Sequence, residues 1–203
     1  MRVFRRLAVI VASAGLLLGP AAGIASAGAR PAAPVHLRGG TTTVTTGSGI
    51  AVALFKNGIV PVATRPGREV VKYRHGQVGV KFAFPVTGGK VTLSPLGGFI
   101  THSGGILFID LRTGKKIRVS DFVISLTHGN LTGIVNGNPR QRVALFNLSL
   151  AHATLKAGQH SVRASGIGVS LTKTAASALD AALGTSLFSP GLKLGTAATV
   201  LRF

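Results

Sequence analysis

The segment VGVKFAFPV sets Val78, Val80, Phe82, Phe84 and Val86 on one side of an extended chain, and Gly79, Lys81, Ala83 and Pro85 on the other. This strict period of two belongs to a strand with one buried face. Apolar runs with β-rich composition recur in FITHSGGILFIDL, IRVSDFVISL, LTGIVNG, RVALFNLSLAHATL, SVRASGIGVSL and the tail GLKLGTAATVLRF. Many short strands punctuated by glycine turns predict a mainly β fold. The expected architecture is an antiparallel sandwich or partly closed barrel with two short flanking helices.

The punctuation gives detail. Pro85 lacks a backbone N–H, which predicts an edge position or a break. Thr87-Gly88-Gly89 is expected to turn the chain into KVTLSPL. The stretch from Phe99 to Leu111 is expected to divide at Ser103-Gly104-Gly105. RTGKK, with Gly114, reads as a hairpin turn. Beyond it the parity slips: Ile117 and Val119 share one face, whereas Phe122, Ile124 and Leu126 share the other. One extra residue near Ser120-Asp121, a β-bulge, reconciles the two. THGN and Asn138-Pro139 are expected to begin further turns.

Two segments carry helical signals. In TKTAASALDAALG, Ala175, Ala176, Leu179, Ala182 and Leu183 form one stripe, with Thr172 as N-cap and Gly184 as stop. GSGIAVALFKNG has Ser48 as a possible N-cap and Asn57-Gly58 as its stop. The two segments resemble each other. Convergent helix-start chemistry explains the likeness better than internal duplication.

Residues 1–27 read as a signal peptide: Arg2, Arg5 and Arg6, an apolar run from Leu7 to Leu18, then Ala25-Ser26-Ala27. The apolar run is too short for a membrane anchor. Residues 28–40 read as a flexible leader, and 41–203 as a single β-rich domain. The expected product is secreted or held non-covalently at the cell envelope, with no transmembrane anchor after signal removal. The sequence has no cysteine, so disulfides, thiolate metal sites and a lipidated N-terminal cysteine are all absent. A terminal phenylalanine after alternating residues is a feature of outer-membrane barrels. One tyrosine and no tryptophan supply no aromatic girdle for one.

Beyond the expected signal, 20 basic residues face four acids, a net charge of +16. Such a field attracts polyanions. In an exported chain these are anionic cell-wall polymers or lipid surfaces, met through Arg65, Arg68, Lys72, Arg74, Arg112, Lys115, Lys116 and Arg118. A purely solubilising role for the charge stays open. Nucleic acid is not expected, because stacking side chains are scarce.

Catalytic chemistry is poorly supplied. Glu69, Asp110, Asp121 and Asp180 are the only acids, and no G-x-S-x-G elbow is present. His102 and Ser103, being neighbours on a strand, point to opposite faces. No catalytic residue is assigned, and a secreted hydrolase ranks third among the functional readings. The histidines at 36, 75, 102, 128, 152 and 160 form no metal-ligand spacing, so no metal site is expected. NLT at Asn130 and NLS at Asn147 match glycosylation sequons, which are incidental behind a bacterial signal. His102 stands apart because its neighbours are apolar. Its imidazole either bonds a backbone carbonyl or acid near a bulge, or ligates haem iron.

FAFPVTGGKV, GGFITHSGGILFIDL and IRVSDFVISL, within residues 78–150, resemble the HtaA-type domains of actinobacterial haem-uptake proteins. Thr101-His102-Ser103-Gly104 is similar to the glycine-histidine-x-glycine step of those domains. The resemblance implies a β-rich secreted domain. It also implies haem held by a tyrosine from an early helical segment, with the histidine in support. The comparable segment here, GSGIAVALFKNG, offers Phe55, and the only tyrosine, Tyr73, lies in RPGREVVKYRH. His102, Tyr73 and Phe55 are therefore the ligand-binding candidates. The leading expectation is a non-enzymatic envelope protein that binds an anionic or amphipathic ligand. Haem binding through His102 is the alternative, and no cofactor is read from the residues themselves.

Overall fold

In the computed structural model, which describes residues 33–47, 49–74 and 77–203, the alternating segments become thirteen strands and two helices. In chain order they are β1 (Val35–His36), β2 (Gly39–Thr46), α1 (Ile50–Lys56), β3 (Ile59–Thr64), β4 (Arg68–Arg74), β5 (Gln77–Leu93), β6 (Leu96–His102) and β7 (Gly105–Asp110). There follow β8 (Lys116–Ser125), β9 (Asn130–Val135), β10 (Asn138–Ser149), β11 (Thr154–Gly158), β12 (Ser161–Leu171), α2 (Lys173–Leu183) and β13 (Lys193–Arg202). The expected signal segment, Ser48 and His75 lie outside the described residues.

The strands β5, β2, β13, β12, β10, β9, β8 and β6 pair in that order, and β6 pairs again with β5. The ring is a closed, wholly antiparallel barrel of eight strands. Closure removes the exposed edges that an open sheet would leave. β5 and β8 are long enough to serve two neighbours on one side. β5 pairs first with β4 and then with β6, and β8 pairs first with β7 and then with β6. β3 extends the sheet beyond β7.

Pro85 sits inside β5, where pairing with β4 has ended at Ala83 and pairing with β6 has not begun at Val86. Its missing N–H falls in this handover. Thr87-Gly88-Gly89 does not turn the chain. It carries β5 onward through a register shift between Val86 and Gly88, and the hairpin turn comes at Ser94-Pro95. Glycine at 89 serves close approach instead of a turn: a Cβ there would run into the carbonyl oxygen of Phe99 on β6. Asn138-Pro139 likewise opens β10, and the turn is Asn136-Gly137, both at positive φ, as a two-residue hairpin requires. Strand pairing begins at Val35, ahead of the expected start at Thr41, because Val35 pairs with Val91 and Leu37 is buried in the core.

The bulge lies where the parity slip placed it. Ile117 and Val119 are buried before it, and Phe122 and Ile124 after it, with Asp121 at φ 53°. The Asp121 N–H donates to the carbonyl of Gly104 at 2.9 Å, so the bulge and the bend after His102 brace one another. Gly104 has φ +88°, and a Cβ there would lie 2.6 Å from the nitrogen of Gly67. Only glycine fits that conformation and that approach.

α2 buries Ala175, Ala176, Leu179 and Leu183; Thr172 caps its start and Gly184, in the left-handed conformation, ends it. α1 buries Ala51 and Leu54. The helices follow β2 and β12, the two strands that flank β13. Inside, the barrel is apolar; outside, its walls carry exposed Thr41, Lys81, Lys90 and Arg163. Membrane barrels have the opposite arrangement, a polar lumen within an apolar outer band. Among the described residues, no helix is long and apolar enough to cross a membrane.

Candidate functional site

His102 closes β6 with its side chain inside the barrel, and only 5% of its surface is exposed. Its Nδ1 lies 3.4 Å from the carbonyl oxygen of Phe122, and its Nε2 lies 2.7 Å from Thr42 Oγ1. A carbonyl only accepts, so Nδ1 carries the proton of the neutral ring. Nε2 then accepts from the Thr42 hydroxyl. Thr42 Oγ1 in turn lies 2.9 Å from Thr199 Oγ1, and the Thr199 hydroxyl can donate to it. Burial strips water from the ring and pushes its pKa down from 6.5 to about 4; the Phe122 carbonyl opposes this only partly. The imidazole is therefore neutral at ordinary pH, with one fixed tautomer.

This polar chain crosses an otherwise apolar lumen. On its upper side lies a cavity of 70 Å³. Phe82, Phe84, Phe108, Phe122 and Phe146 line it, with Ile50 and Leu54 of α1 above and His102 on the wall. Period two supplies the phenylalanines from β5, β7, β8 and β10. The rings of Phe84 and Phe122 meet edge-on, with centroids 5.0 Å apart.

Of the three ligand candidates, only His102 reaches this cavity. Tyr73 is 74% exposed on β4, where it pairs with Val78. Phe55 is partly buried and packs against the core, but α1 lines the cavity through Ile50 and Leu54 instead. Thr42 and Thr199 were not legible as site residues. The signal for Thr42 was parity, since Thr42, Val44 and Thr46 share the inward face of β2 and all line the cavity.

The basic residues separate into two groups. Arg65, Arg68 and Lys72 are exposed on and beside β4. Arg112, Lys115, Lys116 and Arg118 are exposed around the β7–β8 turn, near the helix ends: Arg112 donates to the Lys56 carbonyl, and the Lys115 amine lies against Gly184. Asp110 organises that turn. It accepts from the Arg112 N–H at 2.8 Å and from the Thr113 hydroxyl at 2.8 Å, and these bonds hold its pKa below the usual carboxylate value. Among the described residues, no three histidine, aspartate or glutamate side chains cluster as metal ligands.

No protein-family model and no curated protein matches the chain. Solved structures do. The C-terminal domain of HtaA from Corynebacterium glutamicum superposes with a TM-score of 0.52 at 17% identity, covering 81% of this chain and 98% of that one. A domain-swapped dimer variant of the same domain gives 0.48 at 19% identity, covering 75% of this chain and 92% of that one. The N-terminal domain of the same protein gives 0.46 at 12% identity, covering 81% and 97%. The fold of this chain is that of the C-terminal HtaA domain, a similarity that extends well beyond residues 78–150.

Proposed function

We propose that the protein is a non-enzymatic, envelope-associated binding protein whose ligand is haem, taken at the His102 face of the lumen. The observation that carries the reading is one neutral histidine on a wall made mainly of phenylalanine and aliphatic side chains, with Thr42 and Thr46 the other polar residues. Its Nδ1–H is held by the Phe122 carbonyl, the outer contact by which ligating histidines are usually oriented. The lone pair of Nε2 is taken by the Thr42 hydroxyl and is open to a ligand only when that bond is released. The HtaA-type fold adds support.

The residues suit the group in chemistry. Bound haem would supply an iron for Nε2 and a flat apolar face for the phenylalanines. In size the cavity falls short: 70 Å³ against the several hundred Å³ of pockets for larger ligands. α1, which supplies the upper wall, is the element that must move. Thr42 must also release Nε2.

Haemin titration tests this. The wild-type protein is expected to shift the Soret band, and His102→Ala to abolish the shift. Thr42→Val, which frees the Nε2 lone pair by removing the hydroxyl that bonds both His102 and Thr199, is expected to tighten binding by about fivefold. A Soret band that does not shift, or one that shifts equally in His102→Ala, overturns the reading.

A second reading rests on the exposed basic residues around the β7–β8 turn: adhesion to anionic wall polymer. Binding to isolated cell walls is then expected to weaken steeply as salt rises, because exposed charges are screened beyond about 8 Å at physiological ionic strength. Binding indifferent to salt rules that reading out.

A further inference from the structure

On the other side of the Thr42–Thr199 pair the lumen continues as a cavity of 210 Å³. Its walls are mainly aliphatic, with Val91, Ile100, Ile124, Val162, Ile167 and Val169 among them and Phe146 and Phe203 the aromatic exceptions. Its polar side chains are Thr42 and Thr199, bonded to each other, and Ser125, whose hydroxyl is bonded to His128. An apolar cavity of about 150 Å³ already stays dry and takes up benzene. A larger one with this lining therefore favours an apolar occupant over water. It remains smaller than the roughly 300–1,000 Å³ of pockets for drug-sized ligands, which selects a slender chain over a fused-ring molecule.

The mouth identifies the other end of the occupant. Leu93, Leu96, Leu150 and Leu155 line the cavity yet are 47%, 36%, 45% and 59% exposed. Four half-exposed leucines gathered at one opening mark a binding site, not ordinary surface. On and beside the strands that form this mouth, Arg38, Lys90, Lys156, Arg163 and Arg202 are exposed on the outer face, each next to an inward-facing Leu37, Val91, Leu155, Val162 or Leu201. The four acids of the chain are elsewhere: Glu69 on β4, Asp110 on β7, Asp121 at the bulge of β8 and Asp180 on α2. An anionic head group is attracted to such a rim, and a cationic one is repelled.

We propose that this lower lumen binds a single-chain anionic amphiphile, a fatty acid. Its tail runs toward Thr42 and Thr199, and its carboxylate stays at the basic mouth. This site shares Thr42, Val44, Leu131, Phe146 and Val169 with the His102 face but does not include His102, and the proposal does not depend on haem binding.

The test uses cis-parinaric acid, whose fluorescence rises in apolar surroundings, with palmitate as competitor. The expected result is saturable enhancement reversed by palmitate. Ala164→Phe combined with Ala197→Phe, which fills the lumen, is expected to weaken palmitate binding at least about tenfold. Because that variant is open to misfolding, Leu150→Asp/Leu155→Asp provides the second arm. Both leucines are exposed, so the fold is retained while negative charge is placed at the mouth, and palmitate binding is again expected to fall about tenfold. Hexadecanol, with the same chain and no charge, is expected to compete less well than palmitate. Palmitate that fails to displace the probe, or that binds the Leu150→Asp/Leu155→Asp variant as tightly as wild type, overturns the proposal. Hexadecanol competing equally overturns the role of the basic rim. A haemin titration of the same variant separates failure here from failure at His102.

Discussion

Phe122→Ala is expected to lower the unfolding free energy by about 3–5 kcal/mol, the usual cost of truncating a buried aromatic residue. Phe122 is 2% exposed and packs edge-on against Phe84, with an interplanar angle of 76°. Two features place the cost toward the upper end. The removed ring adjoins an existing 70 Å³ cavity, so the void enlarges instead of collapsing. The residue directly follows the bulge, where the backbone is fixed by the Asp121–Gly104 bond. Its carbonyl, which holds the ring of His102, is a backbone group and is kept in the variant. Urea unfolding followed by far-UV circular dichroism measures the effect. A loss below about 1 kcal/mol would show that the site repacks freely.

The second large effect is acid destabilisation through His102. In the unfolded chain an imidazole takes up its proton near pH 6.5; in the folded chain His102 does so only at about 4. Between those values the unfolded state binds more protons, so unfolding becomes easier as pH falls. The contribution is intact above about pH 7 and is lost progressively between pH 6.5 and 4, amounting to about 3 kcal/mol in all. Below about 4 this residue contributes no further slope. His102→Leu is expected to flatten the dependence across that window. Urea midpoints at pH 7.5, 5.5 and 4.5 provide the comparison, and parallel slopes for wild type and His102→Leu would place the acid sensitivity elsewhere.

What could be read from the sequence follows from the range of each interaction. The bulge at Ser120-Asp121 was legible because side chains alternate with period two, so one inserted residue inverts everything after it. The helix from Lys173 to Leu183 was legible because cap, stripe and stop all lie within one short segment. The turn expected at Gly88-Gly89 went wrong because glycine serves two needs, tight turns and close approach of neighbouring strands. There the second applied, and the neighbour, Phe99, is revealed only by pairing. Val35 and Leu37 read as leader because two apolar residues among proline, alanine and glycine show no period; their partners, Val91 and Gly89, lie on β5. His102 drew attention as a lone histidine in an apolar run. Thr42 and Thr199 did not, because threonine is common on strands and their partnership spans 157 residues.

That span has a kinetic consequence. β13 is the keystone of the ring, pairing β12 on one side and β2 on the other. Until residues 193–202 are available, β2 has no partner there, and the lumen is an open trough with apolar walls exposed. The closing contact must gather chain ends separated by most of the domain, an entropic cost met before any reward. A chain delivered N-terminus first therefore stays unfinished, and threadable, until its last strand arrives. Before that step a ligand meets an open trough, and after it only the mouth at Leu93, Leu96, Leu150 and Leu155, so the order of folding and ligand arrival changes the route of entry.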